Sequence, residues 1–145
     1  MRSNMLKFHK VIKMSINEIF NMYFGIIEDE RDQANVKHSL VDILKLVMLA
    51  VLCGIDELKK IVDYGENKRE FLKKEFEIKN IPSKSTLTRV FIMLDPKWIG
   101  YSITGILNTL IKEKKGQIML DGKAIRSTDA INTIEKMMNI VTAYT

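Results

Sequence analysis

A single cysteine, Cys53, leaves no internal disulfide to form. No Cys/His cluster has zinc-site spacing, so a structural zinc finger is excluded. Cys53 lies in an apolar helical run, where a buried, inert thiol is expected. No uninterrupted apolar stretch follows Arg2, Lys7, Lys10 and Lys13, so the pattern of a secretory signal is missing. The most apolar stretch, residues 40–55, carries Asp42 and Lys45 and is too short to cross a bilayer. It reads as a core helix, and a cytoplasmic location with no membrane partner is expected. No internal repeat or low-complexity segment is visible.

What remains is a chain of 145 residues, 46% of them hydrophobic. That is enough for one domain with a buried core, or one domain with part of another, and it is not a disordered composition. The net charge of +5 permits a nucleic-acid partner without requiring one.

Ser15 and Glu18 have capping-box spacing. Ile16, Ile19, Phe20, Tyr23, Phe24 and Ile27 then recur at helical intervals, which predicts an amphipathic helix. The charged run at 28–32 reads as a solvated connector, with metal binding as the alternative. Ser39 caps the next helix, and Asp42 suits the positive end of its dipole. The apolar residues from Leu40 to Leu52 go nearly all round this helix, so it should be central. Gly54 is its stop signal. His38 reads as a neighbour of the cap rather than a ligand.

Asp56 is expected to cap a third helix, with Leu58, Ile61 and Val62 inward and Gly65 breaking or bending it. Residues 66–76 read as helix again. Phe71, Leu72 and Phe76 form its apolar side, and Lys68, Arg69, Lys73 and Lys74 its basic side. Pro82 interrupts the helical pattern. Ser83 or Ser85 caps the next helix, with Leu87, Val90, Phe91 and Leu94 inward. Lys84, Thr88 and Arg89 point away from that stripe and are the candidate DNA contacts. Helix, turn, helix over about 66–94 is compatible with a helix-turn-helix, although any corner between two helices reads the same way. Asp95 and Pro96 start a long helix with Trp98, Ile99, Ile103, Ile106, Leu107, Leu110 and Ile111 inward. Lys112, Lys114 and Lys115 suit its negative end, and Gly116 stops it.

The composition changes at Ile118-Met119-Leu120-Asp121-Gly122-Lys123-Ala124-Ile125-Arg126-Ser127. An apolar run leads into an acid, a glycine and two cations. One reading is a metal and phosphate site, since a carboxylate holds a hard cation and Lys and Arg hold an anion. The other is a strand ending in an Asp-Gly turn with solvated basic residues. Residues 127–138 read as a polar connection and 139–145 as a second strand.

This stretch resembles the first catalytic strand of the H-repeat-associated group of insertion-sequence transposases, of the DDE class. Asp121, Gly122, Lys123 and Arg126 match the group's pattern, and the glycine expected between Arg126 and Ser127 is missing. Further matches run in order: Tyr23-Phe24 with Glu28-Asp29 and Arg31, then Lys37 to Leu40, Ala50 to Gly54, and Tyr64-Gly65. They continue with Ile81-Pro82-Ser83, Arg89-Val90-Phe91 and Leu94-Asp95-Pro96, and end at Ile140-Val141-Thr142-Ala143.

The resemblance implies a fold that is mainly α with a C-terminal β-hairpin. Residues 1–116 would be a helical transposase-associated domain. Residues 117–145 would be the truncated start of an RNase H-like catalytic domain. In that class several acids hold a pair of Mg²⁺ ions for in-line displacement at phosphorus. Asp121 would be the first acid and metal ligand, and Lys123 and Arg126 would lie near DNA phosphate. The remaining acids would have to follow further strands, for which the chain has no room. Asp129 and Glu135 would sit in the wrong element. The expected function is therefore DNA binding at transposon ends by a transposase fragment that is inactive alone. Its protein partners would be a second copy or an intact transposase. A second reading is a small helical interaction protein whose hairpin completes a partner's sheet.

Overall fold

The computed structural model describes residues 14–113, the short segments 119–120 and 123–124, and 127–144; side chains are described for 14–112 and 131–144. Helix α1 (Ile16–Phe24) starts where the spacing predicts. The Ser15 hydroxyl accepts from the Glu18 N–H, and the Glu18 carboxylate accepts from the Ser15 N–H, both at 3.1 Å. A short 3₁₀ turn (Gln33–Asn35) leads into α2 (Leu40–Leu52), capped by Ser39. Nearly every residue of α2 is buried, so the helix lies at the centre, as its all-round apolar surface demands.

Gly54 adopts φ 84°, a conformation that costs glycine little. Its N–H donates to Val51 O at 2.9 Å, and the Ile55 N–H donates to Ala50 O at 3.0 Å. This pair of bonds satisfies carbonyls that the helix end would otherwise leave open. It also turns Cys53 outward: the thiol is exposed, not buried as expected.

Helix α3 (Leu58–Asn67) has Glu57, not Asp56, at its N-cap, without a side-chain cap bond. Gly65 does not break it. A Cβ there would lie 2.8 Å from Ile81 Cγ2, so the glycine lets the loop before Pro82 pack directly on the helix. Helix α4 (Arg69–Phe76) follows almost at once and ends at Glu77, whose φ of 57° is left-handed. Phe71 is exposed rather than inward. Helix α5 (Lys84–Met93) is capped by Ser83, and its predicted stripe of Leu87, Val90, Phe91 and Leu94 is buried. Helix α6 (Pro96–Glu113) starts at Asp95, whose carboxylate accepts from the Lys97 N–H at 2.9 Å. Ile99, Ile103, Ile106, Leu107 and Leu110 are buried as predicted, but Trp98 is 52% exposed.

The C-terminal hairpin is the principal correction. Ser127–Tyr144 is a single helix, α7, so neither the predicted polar connection nor the second strand forms. The strand reading goes with the resemblance of Ile140-Val141-Thr142-Ala143 to the family's next strand. A wider window shows why the helix wins: Thr133, Met137, Ile140 and Val141 are buried, at helical spacing. α7 packs on α6, α2 and α5, where that stripe removes apolar surface from water. The extended pairing that exists is two residues long on each side. β1 (Met119–Leu120) meets β2 (Lys123–Ala124) antiparallel, with Met119 opposite Ala124. Such a ladder does not carry an independent sheet.

The seam between α1 and α6 is held by Gly105, where any Cβ would collide with the Tyr23 ring. The Tyr23 hydroxyl shares a 2.9 Å hydrogen bond with Thr109, and Ser102 donates to Tyr23 O at 3.1 Å. Phe20 stacks on Phe76 with ring centres 5.9 Å apart, joining α1 to α4.

Candidate nucleic-acid interface

Lys45 is the one lysine among the described residues that is buried, at 2% exposure. Its ammonium donates to Phe76 O at 2.6 Å and Asn17 Oδ1 at 3.0 Å, and Asp42 lies 3.5 Å away. A cation on the last carbonyls of α4 complements that helix's negative end. It ties α4 to α1 and α2 and is not available to a ligand. The acidic connector is also structural. The Arg31 guanidinium grips Asp29 through two bonds, at 2.8 and 2.7 Å, and donates to His38 O at 2.9 Å. These bonds hold the Asp29 carboxyl below its ordinary pKa, against a smaller upward push from burial. His38 is thus beside the cap, as its position predicts, and serves through its carbonyl.

The accessible cations lie elsewhere. The N-terminal turn of α5 presents Ser83, Lys84, Ser85 and Thr86, with a hydroxyl network linking Ser83 to Ser85 and Thr86. Lys84 and Arg89 are exposed, as the sequence predicts. Arg89 makes one long bond, 3.4 Å, to Thr86 Oγ1. Thr88 is half-buried, and its hydroxyl donates to Lys84 O at 3.0 Å, so its proton is committed within the helix.

Beside this turn is a cleft of about 370 Å³ lined by Asp56, Glu57, Lys59 and Lys84, and by Lys136 and Asn139 of α7. Glu57 is paired with Lys60 at 3.0 Å; that hydrogen bond raises the Lys60 pKa and offsets the Glu57 charge. Lys59, Lys84 and Lys136 therefore outweigh Asp56 at the cleft. The sequence pattern assigns Lys136 to the polar connection and Asn139 to the second strand. The helical spacing of Thr133, Met137, Ile140 and Val141 is the signal that puts them on α7.

The basic side of α4 is exposed as predicted, but Arg69 is paired with Glu66 at 2.6 Å. α5 rests chiefly on α3 and α7. Asp121 and Arg126 lie outside the described residues. The backbone of Lys123 is in β2. Among the described residues no group of His, Cys, Asp and Glu converges as metal ligands would. No helix among them is long and apolar enough to cross a membrane.

Residues 21–102 match the model of the DDE_Tnp_1-associated family. The chain is 33% identical over 133 residues to "Putative transposase YncI" of Escherichia coli O157:H7, covering 90% of this chain and 34% of that protein. It is 31% identical over 124 residues to "H repeat-associated putative transposase YbfD" of Escherichia coli K12, covering 84% of this chain and 49% of that protein. To "Inactive transposase YbfQ" of the same strain it is 38% identical over 69 residues, 47% of this chain and 82% of that protein. No solved structure matches the chain. The chain thus spans a third to a half of the longer relatives, and the family match takes in α2 to α5 with Lys84, Thr88 and Arg89. The chain belongs to the DDE_Tnp_1-associated family.

Proposed function

We propose that this chain acts in DNA transposition as a DNA-binding helical domain of a transposase, with the N-terminal turn of α5 and the adjoining side of α7 on the phosphate backbone. The observation that carries the reading is the cleft where Lys59, Lys84 and Lys136 converge in a member of a transposase-associated family. Exposed ammonium and guanidinium groups bind phosphate by releasing condensed counterions, without reading sequence. Lys84 and Arg89 are exposed and fill that role, with the half-buried Lys136 beside Lys84 at the cleft. Thr88 can accept a hydrogen bond but has no free proton to donate. A DNA partner suits a cytoplasmic location.

Bond cleavage belongs, on this reading, to the longer proteins. By resemblance Asp121 is the first Mg²⁺ ligand, and one carboxylate does not hold the pair of ions such chemistry uses. The helical domain binds and positions, and by resemblance Lys123 and Arg126 would meet DNA phosphate. The purified chain with Mg²⁺ should leave supercoiled plasmid intact.

The test is fluorescence anisotropy with a labelled duplex carrying a transposon end and with a scrambled duplex. Binding to both is expected, with affinity lost steeply between about 50 and 200 mM salt. No binding at the low end of that range, or metal-dependent nicking of the plasmid, would overturn the reading.

A further inference from the structure

An acidic and aromatic cleft of about 240 Å³ lies where the end of α1 meets the α5–α6 junction. Ile26, Ile27, Met93, Leu94 and Trp98 give it an apolar floor, and Glu28, Glu30 and Asp95 give it a rim. Ile26 is 64% exposed, and Trp98 stands edge-on to Tyr101, itself 66% exposed. Among the described residues Glu28 and Glu30 have no ion-pair partner. Three carboxylates repel a nucleic acid. The volume falls below that of pockets for drug-sized ligands and suits one inserted side chain.

The same chain carries a complementary feature. Phe71 is 46% exposed on the outer side of α4. Lys68 and Lys74 lie three residues to either side of it, on the same face of the helix. Neither is in an ion pair among the described residues; Glu75 is the one acid on that face.

We infer that a second copy of this chain docks here, with Phe71 entering the Ile26–Trp98 cleft and Lys68 and Lys74 facing Glu28, Glu30 and Asp95. The aromatic ring would bury against Trp98, and each lysine would gain a carboxylate near a partly desolvated surface. The two surfaces differ, so a single contact leaves a free cleft on one copy and a free Phe71 on the other. Association should therefore continue beyond a dimer unless the ring closes. This inference does not depend on DNA binding.

The test is sedimentation velocity of the full chain over a concentration series. The wild type should associate with rising concentration and dissociate with added salt. E28K/E30K and K68E/K74E should each be monomeric, with unchanged circular dichroism. The chain carrying all four reversals should associate again, because the charges are exchanged rather than removed. F71A should weaken association by about tenfold or more. A wild type that stays monomeric at the highest concentration would overturn the inference. So would a fourfold variant no more associated than either parent.

Discussion

Asp29 and Lys45 show how single charges hold this domain together. The folded-state pKa of Asp29 lies below its unfolded value because Arg31 binds the ionised form. Its contribution to stability is then present above the unfolded pKa and lost as pH falls through the folded one. D29N should cost about 1 kcal/mol at neutral pH, screened by solvent at this partly exposed site. The gap between variant and wild type should close below about pH 4. Urea unfolding at several pH values checks this; a gap independent of pH would refute it. For Lys45, K45M keeps the volume and removes the donor from Phe76 O and Asn17. It should destabilise by about 1–3 kcal/mol, read from the urea midpoint. The caps Ser15, Ser39, Ser83 and Asp95 could be read from sequence because each acts within three residues of itself. The burial of Lys45 could not, since its partner carbonyl is 31 residues away.

Helix α7 is where local reading failed and where longer-range packing explains the failure. Ile140-Val141-Thr142 favours a strand by propensity alone. The stripe of Thr133, Met137, Ile140 and Val141 finds apolar partners on α2, α5 and α6, and tertiary burial outweighs that preference. M137A should therefore destabilise the whole fold by about 2–4 kcal/mol, as expected for truncating a fully buried side chain. Backbone amides of 133–141 should be among the slowly exchanging ones. Hydrogen exchange that finds these amides as fast as those of exposed loops would contradict the helix. Gly65 and Trp98 teach the related point that a helix's inward face depends on its neighbours. Gly65 reads in sequence as a break or bend and is instead a close contact with Ile81. Trp98 looked like core and borders an open cleft.

Across the molecule, two clefts among the described residues carry opposite charge. Cations gather where α5 and α7 meet, and carboxylates ring the aromatic cleft at the α1 and α6 ends. Lys84 and Arg89 could be picked out in advance, because they lie opposite a clear apolar stripe on one helix. The cleft itself could not, because Lys136 reaches it only through α7, and α7 follows a stretch that reads as strand. The decisive measurement is a double-mutant cycle on duplex DNA affinity with K84A, K136A and the pair, each over a salt series. If α7 sets Lys136 beside Lys84 on one phosphate-binding face, each single change weakens binding to every sequence. Each also lowers the salt slope by about 1, and the pair together loses about 2. Wild-type affinity and slope retained in K136A would show that α7 is not part of the face. Retention in both single variants would show that DNA, if bound, is bound elsewhere.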